Sequence, residues 1–275
     1  MASHGGNTLY VSDLDGTLLR SEKRISEYTA TVLNRLCEEG MIFSLATARS
    51  FYTATQVTEG FTARIPTVNY NGSFIFENRT GRMLYSNAFP REDAEWLLDT
   101  LRAGGVSPVV YSLQNGRDLF SYCSCEMSRG VKAFCDIHAG DPRANPVSDP
   151  SMLSNGEIFY LVCADEPEKL YPLYQKLRER FRCLYERERY TGEQWLELLP
   201  KNVSKAGALL TLKEMLQCER IVCFGDGKND IEMFRIADEC YAMANAVPEL
   251  KEIATATIGS NDEDGVARWL ADHFL

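Results

Sequence analysis

The sequence predicts an α/β protein in which a doubly wound parallel sheet, formed by both ends of the chain, is interrupted by an inserted α+β domain. Short apolar runs alternate with helical periods from residue 9 to about residue 83, and the same alternation returns after about residue 196. Residues 84–195 lose this alternation and contain extended runs separated by hairpin-like turns. We therefore predict a core from residues 1–83 and 196–275 and an insert from residues 84–195.

The N-terminal part of the core begins with a buried strand at residues 9–13. A helix is predicted from Ser26 to about Glu39, because Ser26 suits an N-cap, apolar residues recur on one face and Gly40 suits a stop. Two further strands are predicted at residues 41–46 and 65–69.

The C-terminal part repeats this pattern of helices and strands. The predicted elements are a helix at 204–216, a strand at 220–224, a helix at 229–237, a strand at 240–243 and a helix after Val247. Strands that alternate with helices imply right-handed crossovers and a parallel sheet covered on both faces.

The insert has a different pattern, with fewer crossovers and more turns. It contains a helix beginning near Arg91, a strand at 158–163 and a helix at 166–180. Asn115-Gly116 predicts a hairpin turn between two extended runs, and residues 140–146 are predicted to be a loop. This pattern suits an antiparallel α+β domain.

The composition and net charge of the chain argue against two classes of binding partner. The 275 residues carry a formal net charge of −10, which argues against a broad electrostatic interaction with nucleic acid or an anionic membrane. No apolar run approaches the roughly 18 residues of a membrane span, and Met1–Gly6 lacks the features of a secretory signal. The nine cysteines, including the C-x-C pair Cys123 and Cys125, lack metal-ligand spacing and are expected to be reduced thiols. We expect a cytoplasmic protein, and the sequence gives no indication of its oligomeric state.

Two carboxylates follow the first predicted strand directly, in Asp13-Leu-Asp15-Gly-Thr17. Parallel α/β sheets bind ligands beyond the carboxyl ends of their strands. Gly16 permits a tight turn whose backbone N–H groups can face an anion. The same residues also suit an ordinary turn in which Asp and Thr bind local backbone groups, so this motif alone leaves both interpretations open.

A second acidic group follows a C-terminal strand, in Phe224-Gly-Asp226-Gly-Lys-Asn229-Asp230. A charge at the end of a buried strand is costly unless it is paired or binds a cation, although Asp and Asn here also suit helix capping. Because Asp13 and Asp226 each end a predicted core strand, they can be neighbours. Clustered carboxylates are the ligand set that Mg²⁺ favours.

Two further residues offer groups that a phosphate needs. Thr47, in Ala46-Thr-Ala-Arg49, supplies a hydroxyl group after the second strand, although for this residue alone an ordinary helix cap is the preferred interpretation. Lys205 opens a predicted helix; a lone lysine is usually solvated, but in an acidic protein it is a suitable counter-charge for phosphate. The four elements together are more specific than any one of them.

With these four motifs in this order, the sequence resembles the haloacid dehalogenase-like (HAD) hydrolases, specifically the Cof-type phosphatases with a C2-type cap. The resemblance covers essentially the whole chain and includes Asn69-Tyr-Asn71-Gly72 after the third strand. One departure is Ala48, where the family often has glycine, and it leaves the hydroxyl group of Thr47 untouched. The resemblance implies a Rossmann-like, HAD-like core with an inserted α+β cap domain.

The resemblance also implies a mechanism. Asp13 would attack phosphorus and form an aspartyl-phosphate, and Asp15 would act first as general acid and then as general base. Mg²⁺ would be held by the carboxylates of Asp13 and Asp226 and the backbone carbonyl of Asp15, with Asp230 supporting it. The phosphoryl oxygens would be bound by Thr47, Lys205 and Asn229.

Asp15 favours phosphoryl transfer over carbon–halogen cleavage, because dehalogenases of this superfamily lack a carboxylate at that position. We expect a phosphatase that acts on a small phosphorylated metabolite, such as a sugar phosphate or a cofactor phosphate. The alternatives are a phosphomutase and a non-catalytic phosphate-binding regulatory module. The insert is expected to close over the site and select the substrate. Its candidate contacts, for each of which core packing or a solvated surface is the preferred interpretation, are Tyr122, Glu126, Arg129, Tyr190 and Trp195.

Overall fold

The computed structural model describes residues 7–187 and 192–274, which divide into two compact units. The first unit comprises the described residues up to Ser86 and from Val203 onward, and the second runs from Asn87 to Asn202. Met1–Gly6 and Tyr190, on which sequence predictions were made, lie outside the described residues.

The two predicted limits of the insert, after residue 83 and after residue 195, both fall inside strands. Each of these strands belongs wholly to one unit. Met83–Ser86 pairs with Phe74–Glu77 in the sheet of the first unit. Gln194–Leu199 pairs with two strands of the second unit. The divisions therefore lie after Ser86 and after Asn202. Strand pairing, which local composition does not reveal, assigns each strand to its unit.

Strands and helices alternate through most of the described residues. The strands are β1 (Thr8–Ser12), β2 (Ile42–Ala46), β3 (Pro66–Asn69), β4 (Phe74–Glu77), β5 (Met83–Ser86), β6 (Val109–Gln114), β7 (Arg117–Cys123), β8 (Ala144–Val147), β9 (Glu157–Ala164), β10 (Arg182–Arg187), β11 (Gln194–Leu199), β12 (Arg220–Gly225), β13 (Glu239–Met243) and β14 (Ala256–Ile258). The α-helices are α1 (Glu27–Glu38), α2 (Phe51–Val57), α3 (Arg91–Ala103), α4 (Arg129–Ile137), α5 (Pro167–Leu177), α6 (Lys205–Met215), α7 (Ile231–Ile236), α8 (Pro248–Lys251) and α9 (Gly265–His273). Within the described ranges, none of these helices combines the length and apolar composition that a membrane span requires.

The first unit contains an eight-stranded sheet in the order β14-β13-β12-β1-β2-β3-β4-β5. The six strands from β14 to β3 are parallel, which confirms the predicted α/β fold class. Strands β4 and β5, which were not predicted, run antiparallel. The turn Tyr70–Gly72, followed by Ser73, joins β3 to β4, and a parallel pair would need a much longer crossover. Because β1 lies between β2 and β12, the residues that follow these three strands are neighbours at one edge of the sheet.

Helix α1 shows how local sequence sets the ends of these elements. The side chain of Ser26 caps it by accepting a hydrogen bond at 3.0 Å from the backbone N–H three residues later. Gly40 follows the helix with φ +102°, in the left-handed region that glycine adopts easily. Val32, Leu33 and Leu36 are buried in the core cluster of the first unit. The predicted N-cap, apolar face and stop are therefore confirmed.

The second unit contains a six-stranded sheet in the order β10-β11-β9-β6-β7-β8. Asn115 and Gly116 form the turn of the predicted β6–β7 hairpin, and both have positive φ. Leu97 of α3 and Leu170 of α5 are buried in the core of this unit. The prediction of a continuous loop at residues 140–146 is wrong at its end, because Ala144–Val147 forms β8, parallel to β7. Its proline is tolerated because β8 is an edge strand.

Candidate active site

The loop after β1 carries the first two predicted aspartates. The backbone N–H of Asp13 donates to the carbonyl of Phe224 at 3.0 Å, which extends the pairing of β1 with β12. The chain then turns tightly, and the N–H groups of residues 17, 18 and 19 all donate to the carbonyl of Leu14. Gly16 has φ +77°, and a Cβ atom there would lie 2.3 Å from Oδ2 of Asp226. This turn therefore requires glycine.

The loop after β12 orients two further aspartates. Oδ2 of Asp230 accepts hydrogen bonds from the backbone N–H groups of Asp226 at 3.1 Å and Gly227 at 3.0 Å. Oδ1 of Asp226 accepts a hydrogen bond from Oγ1 of Thr17 at 2.9 Å. Since Thr17 belongs to the loop after β1, this bond ties the two acidic loops together.

Lys205, the first residue of α6, lies within this acidic group. Its Nζ donates to Oδ1 of Asp13 at 2.7 Å and to Oδ1 of Asp230 at 2.8 Å, and its side chain is 1% exposed. The side chain of Ser204 caps α6 by accepting a hydrogen bond from the backbone N–H of Gly207. This cap makes Lys205 the first residue of the helix. Lys205 is therefore a buried counter-charge, whereas the sequence alone also allowed a solvated lysine.

Burial and the neighbouring charges shift the pKa values of this group. Burial raises the pKa of Asp13 to about 8, with Lys205 opposing the rise and Asp230 adding to it. Burial also raises the pKa of Asp226 to about 6, against the lowering effect of the hydrogen bond from Thr17. Burial alone would lower the pKa of Lys205, but the charges of Asp13 and Asp230 outweigh it and the pKa is raised.

The three carboxylates form a group that fits a divalent cation. One oxygen each from Asp13, Asp226 and Asp230 lies within 4.8 Å of the others. Carboxylate oxygens are hard donors of the kind that Mg²⁺ prefers. Both oxygens of Asp230 already accept hydrogen bonds, from Lys205 and from the backbone. Asp13 and Asp226 are therefore better placed as direct ligands, with Asp230 supporting the site.

Asp15 lies two residues along the same loop, and its carboxylate forms a bidentate ion pair with Arg49. Nε of Arg49 is 2.7 Å from Oδ2 of Asp15, and Nη2 is 2.6 Å from Oδ1. The Asp15 side chain is 52% exposed, and its carboxylate is not part of the metal-compatible group. No role was predicted for Arg49 from the sequence, where its only signal is its place two residues after Thr47.

Thr47 and Asn229, the other predicted phosphate-binding residues, differ in their burial and in the hydrogen bonds of their side chains. Thr47 directly follows β2 and is 1% exposed, and its Oγ1 accepts a hydrogen bond from the backbone N–H of Arg49 at 3.1 Å. Asn229 lies exposed on the turn before α7 and makes no side-chain hydrogen bond to the residues that the structure describes. The structure thus brings Thr47 and Arg49 into one loop, while the amide of Asn229 is left open to solvent.

Four of the candidate substrate contacts in the insert lie in the described residues. Glu126 and Arg129 line a cavity of about 700 Å³ in the second unit. Arg129 is already paired there with Glu193 at 3.1 Å. Tyr122 and Trp195 each pack against another aromatic ring. These contacts agree with the preferred interpretation of packing and surface roles.

Comparison with known proteins agrees with this geometry. Residues 10–270 match the haloacid dehalogenase-like hydrolase family. The chain is 28% identical over 277 residues to the 5-amino-6-(5-phospho-D-ribitylamino)uracil phosphatase YitU of Bacillus subtilis, with 97% of each chain covered. It is 28% identical over 269 residues to the HMP-PP phosphatase of Serratia proteamaculans, with 96% of this chain and 93% of that one covered.

The fold is shared as well. The crystal structure of a haloacid dehalogenase-like hydrolase from Bacteroides thetaiotaomicron superposes with a TM-score of 0.78 at 26% identity, over 97% of this chain and 99% of that one. The family match spans most of the sequence and includes both acidic loops. This chain therefore belongs to the haloacid dehalogenase-like hydrolase family.

Proposed function

We propose that this protein is a Mg²⁺-dependent phosphatase that hydrolyses a small phosphorylated metabolite through an aspartyl-phosphate on Asp13. The observation that carries the proposal is the buried Asp13 carboxylate, hydrogen-bonded to Lys205 and grouped with Asp226 and Asp230 at the carboxyl edge of a parallel sheet. Two relatives named as phosphatases of small phosphorylated compounds support a sugar phosphate or a cofactor phosphate as the substrate class.

Asp13 and Asp15 divide the chemistry between them in this proposal. An oxygen of Asp13 forms a bond to phosphorus while the bond to the ester oxygen breaks, and Asp15, protonated on an oxygen that has turned from Arg49 toward the leaving group, gives that ester oxygen its proton. Asp15 then takes a proton from the water that hydrolyses the aspartyl-phosphate, which frees Asp13 and phosphate. The exposed position of Asp15 gives it access to solvent and to a leaving group.

The remaining residues of the site bind the phosphoryl group and balance its negative charge. Lys205 supplies a positive charge beside Asp13, which reduces the repulsion between the carboxylate and a phosphate dianion. Thr47, Lys205 and Asn229 would donate hydrogen bonds to the phosphoryl oxygens. Asp13, Asp226 and the backbone carbonyl of Asp15 would hold Mg²⁺. The bound ion would supply further positive charge at the phosphoryl oxygens.

The test is a panel of sugar phosphates, nucleotides and cofactor phosphates incubated with the purified protein and Mg²⁺. We expect free phosphate from at least one phosphomonoester. Transfer of the phosphoryl group to another position, dependent on a bisphosphate activator, would favour a phosphomutase. No phosphate release from any compound would favour a non-catalytic phosphate-binding module.

Replacing Arg49 should affect substrates according to their leaving group. Arg49 fixes both oxygens of Asp15, so Arg49→Gln leaves the proposed general acid without its orienting partner. We expect the rate of aspartyl-phosphate formation, measured in a single turnover, to fall about 10- to 100-fold for an alkyl phosphate, with little change for p-nitrophenyl phosphate, whose leaving group needs no proton. Arg49→Lys should recover only part of the loss, because a lysine cannot form the bidentate pair.

The matched control for Arg49 is Arg24→Gln, which removes an exposed arginine paired with Glu59 in the same unit. It should leave both substrates unaffected. An equal loss on the alkyl and the p-nitrophenyl substrate in Arg49→Gln would contradict a role through Asp15.

Mg²⁺ binding should release protons below about pH 8. Because the pKa of Asp13 is raised to about 8 and that of Asp226 to about 6, the metal-free site holds protons near neutral pH that a cation must displace. Calorimetry in buffers of different ionisation enthalpy should show proton release at about pH 6.5 and much less at about pH 9. The same release at both pH values would contradict the prediction, and Asp226→Asn should weaken Mg²⁺ binding throughout.

The same pKa shifts determine the direction in which the stability of the metal-free protein changes with pH. In the unfolded chain these carboxyl groups titrate near 3.8, so between about pH 4 and pH 8 the folded state binds more protons than the unfolded state. The free energy of unfolding contributed by this site should therefore fall as the pH rises through that window. Urea titrations of metal-free protein across the window measure it.

A further inference from the structure

The turn between β3 and β4 has an unusual backbone. Tyr70, Asn71 and Gly72 have φ values of 50°, 53° and 107°, so three consecutive residues lie in the left-handed region. Asparagine and glycine adopt this region readily, but a bulky aromatic residue rarely does. Oδ1 of Asn71 is buried and accepts no hydrogen bond from the residues that the structure describes. Strain of this kind persists only where surrounding contacts impose it.

On one side, the turn is bonded to the loop that carries Thr47. The backbone N–H of Asn71 donates to the carbonyl of Thr47 at 3.0 Å, and that of Tyr70 donates to the carbonyl of Arg49 at 3.1 Å. Nδ2 of Asn69 also donates to the carbonyl of Arg49, at 3.3 Å. Three donors from the three consecutive residues Asn69, Tyr70 and Asn71 thus hold the Thr47–Arg49 loop in place.

On the other side, the turn lies against the first peptide of α6. A Cβ atom on Gly72 would be 2.2 Å from the carbonyl oxygen of Ser204 and 3.2 Å from the backbone nitrogen of Lys205. These are backbone atoms, which cannot rotate away as the end of a flexible side chain can. The turn therefore touches the loop of Thr47 and the start of the helix that begins with Lys205.

We propose that Tyr70–Gly72 is a positioning turn that sets the spacing between Thr47 and Lys205, and that Gly72 is the residue that permits this spacing. The inference rests on the proposed function, in which both of those side chains reach one phosphoryl group. A side chain at position 72 must displace either the Thr47 loop or the start of α6. Either displacement separates two groups that have to bind the same phosphate, and small misplacements of such groups reduce rates strongly.

The chain offers a matched control for the backbone strain. Gly40 lies in the same unit with φ +102°, close to the +107° of Gly72, but a Cβ atom there would meet nothing within 4 Å. Gly40→Ala and Gly72→Ala therefore introduce similar backbone strain, and only Gly72→Ala adds the clash with α6. A difference between them in phosphate binding reports the positioning role, since strain alone would affect both.

The experiment measures the affinity for inorganic phosphate by calorimetry in the presence of Mg²⁺, together with kcat and KM for an active phosphomonoester. For Gly72→Ala we expect the Kd of phosphate to rise about 10-fold and kcat/KM to fall about 100-fold, while Gly40→Ala stays close to the parent protein. A folded Gly72→Ala variant that matches Gly40→Ala in both measurements overturns the inference.

A second variant keeps the test decisive if Gly72→Ala does not fold. Asn69→Ala removes one donor to the Thr47–Arg49 loop without adding a clash, and it should weaken phosphate binding several-fold while the fold is retained. Unchanged phosphate affinity in Asn69→Ala overturns the inference in that case. If the parent protein neither binds phosphate nor releases it from esters, the proposed function itself fails, which is a separate and recognisable result.

Discussion

Asp13→Asn should abolish the turnover of phosphomonoesters, with a loss of at least about 10⁴-fold in kcat. The amide keeps the shape of the side chain but cannot form the aspartyl-phosphate. The fold should be retained, because burial already favours the uncharged form of Asp13 and the amide of asparagine is uncharged and of similar size. Phosphate release and thermal unfolding, measured on the same preparation, check both parts.

The control for this variant is Asp262→Asn. Asp262 is an exposed aspartate of the same unit that accepts hydrogen bonds from Ser21, remote from the acidic group in its contacts. It should keep its activity. Full activity in Asp13→Asn would contradict the assignment of Asp13 as the nucleophile.

Lys205→Met should lose both activity and stability. The substitution leaves Asp13 and Asp230 buried without their counter-charge, and removal of one partner from a buried ion pair typically destabilises by about 3–5 kcal/mol. The deficit should be larger above about pH 8, where Asp13 is ionised, than at lower pH, where Asp13 takes up a proton. Urea unfolding of metal-free protein at two pH values measures the loss of stability. The rate of phosphate release measures the loss of activity that follows from removing the positive charge.

Lys251→Met is the matched control for that substitution. Lys251 also belongs to the first unit, but it is only half-buried and its Nζ donates to the backbone carbonyl of Ala244 instead of to a carboxylate. Its replacement should change stability by less than about 1 kcal/mol. A Lys205→Met variant with the stability and activity of this control would contradict the role of Lys205 as a buried counter-charge.

The fold of the first unit is largely predictable because strands and helices alternate there with clear apolar patterns. What escaped prediction depends on pairing between distant segments. Residues 144–147 contain a proline and follow a glycine-containing loop, and only their pairing with β7 makes them a strand. β5 and β11 likewise belong to one sheet or the other through hydrogen bonds that local composition does not encode.

The candidate site shows the same division. That Asp13 and Asp226 lie together follows from reasoning about strand ends, since β1 and β12 are neighbours. The bidentate pair of Arg49 with Asp15 depends on side-chain directions in two separate loops, and the burial of Lys205 depends on two carboxylates from two others. The strained turn at Tyr70–Gly72 is present in the sequence as Asn-Gly, but its contacts with both loops are visible only in three dimensions.

The pairing of β1 with β12 also has a consequence for biosynthesis. Thr8 lies opposite Arg220 in this pair, so the central strand of the sheet gains its second neighbour only after the entire second unit has been translated. At ribosomal rates of about 5–20 residues per second, β1 waits roughly 10 to 40 s with one edge open, a period in which chaperones can bind it. The nascent chain therefore carries its proposed nucleophile long before it can assemble a catalytic centre, and that centre is among the last parts of the protein to form.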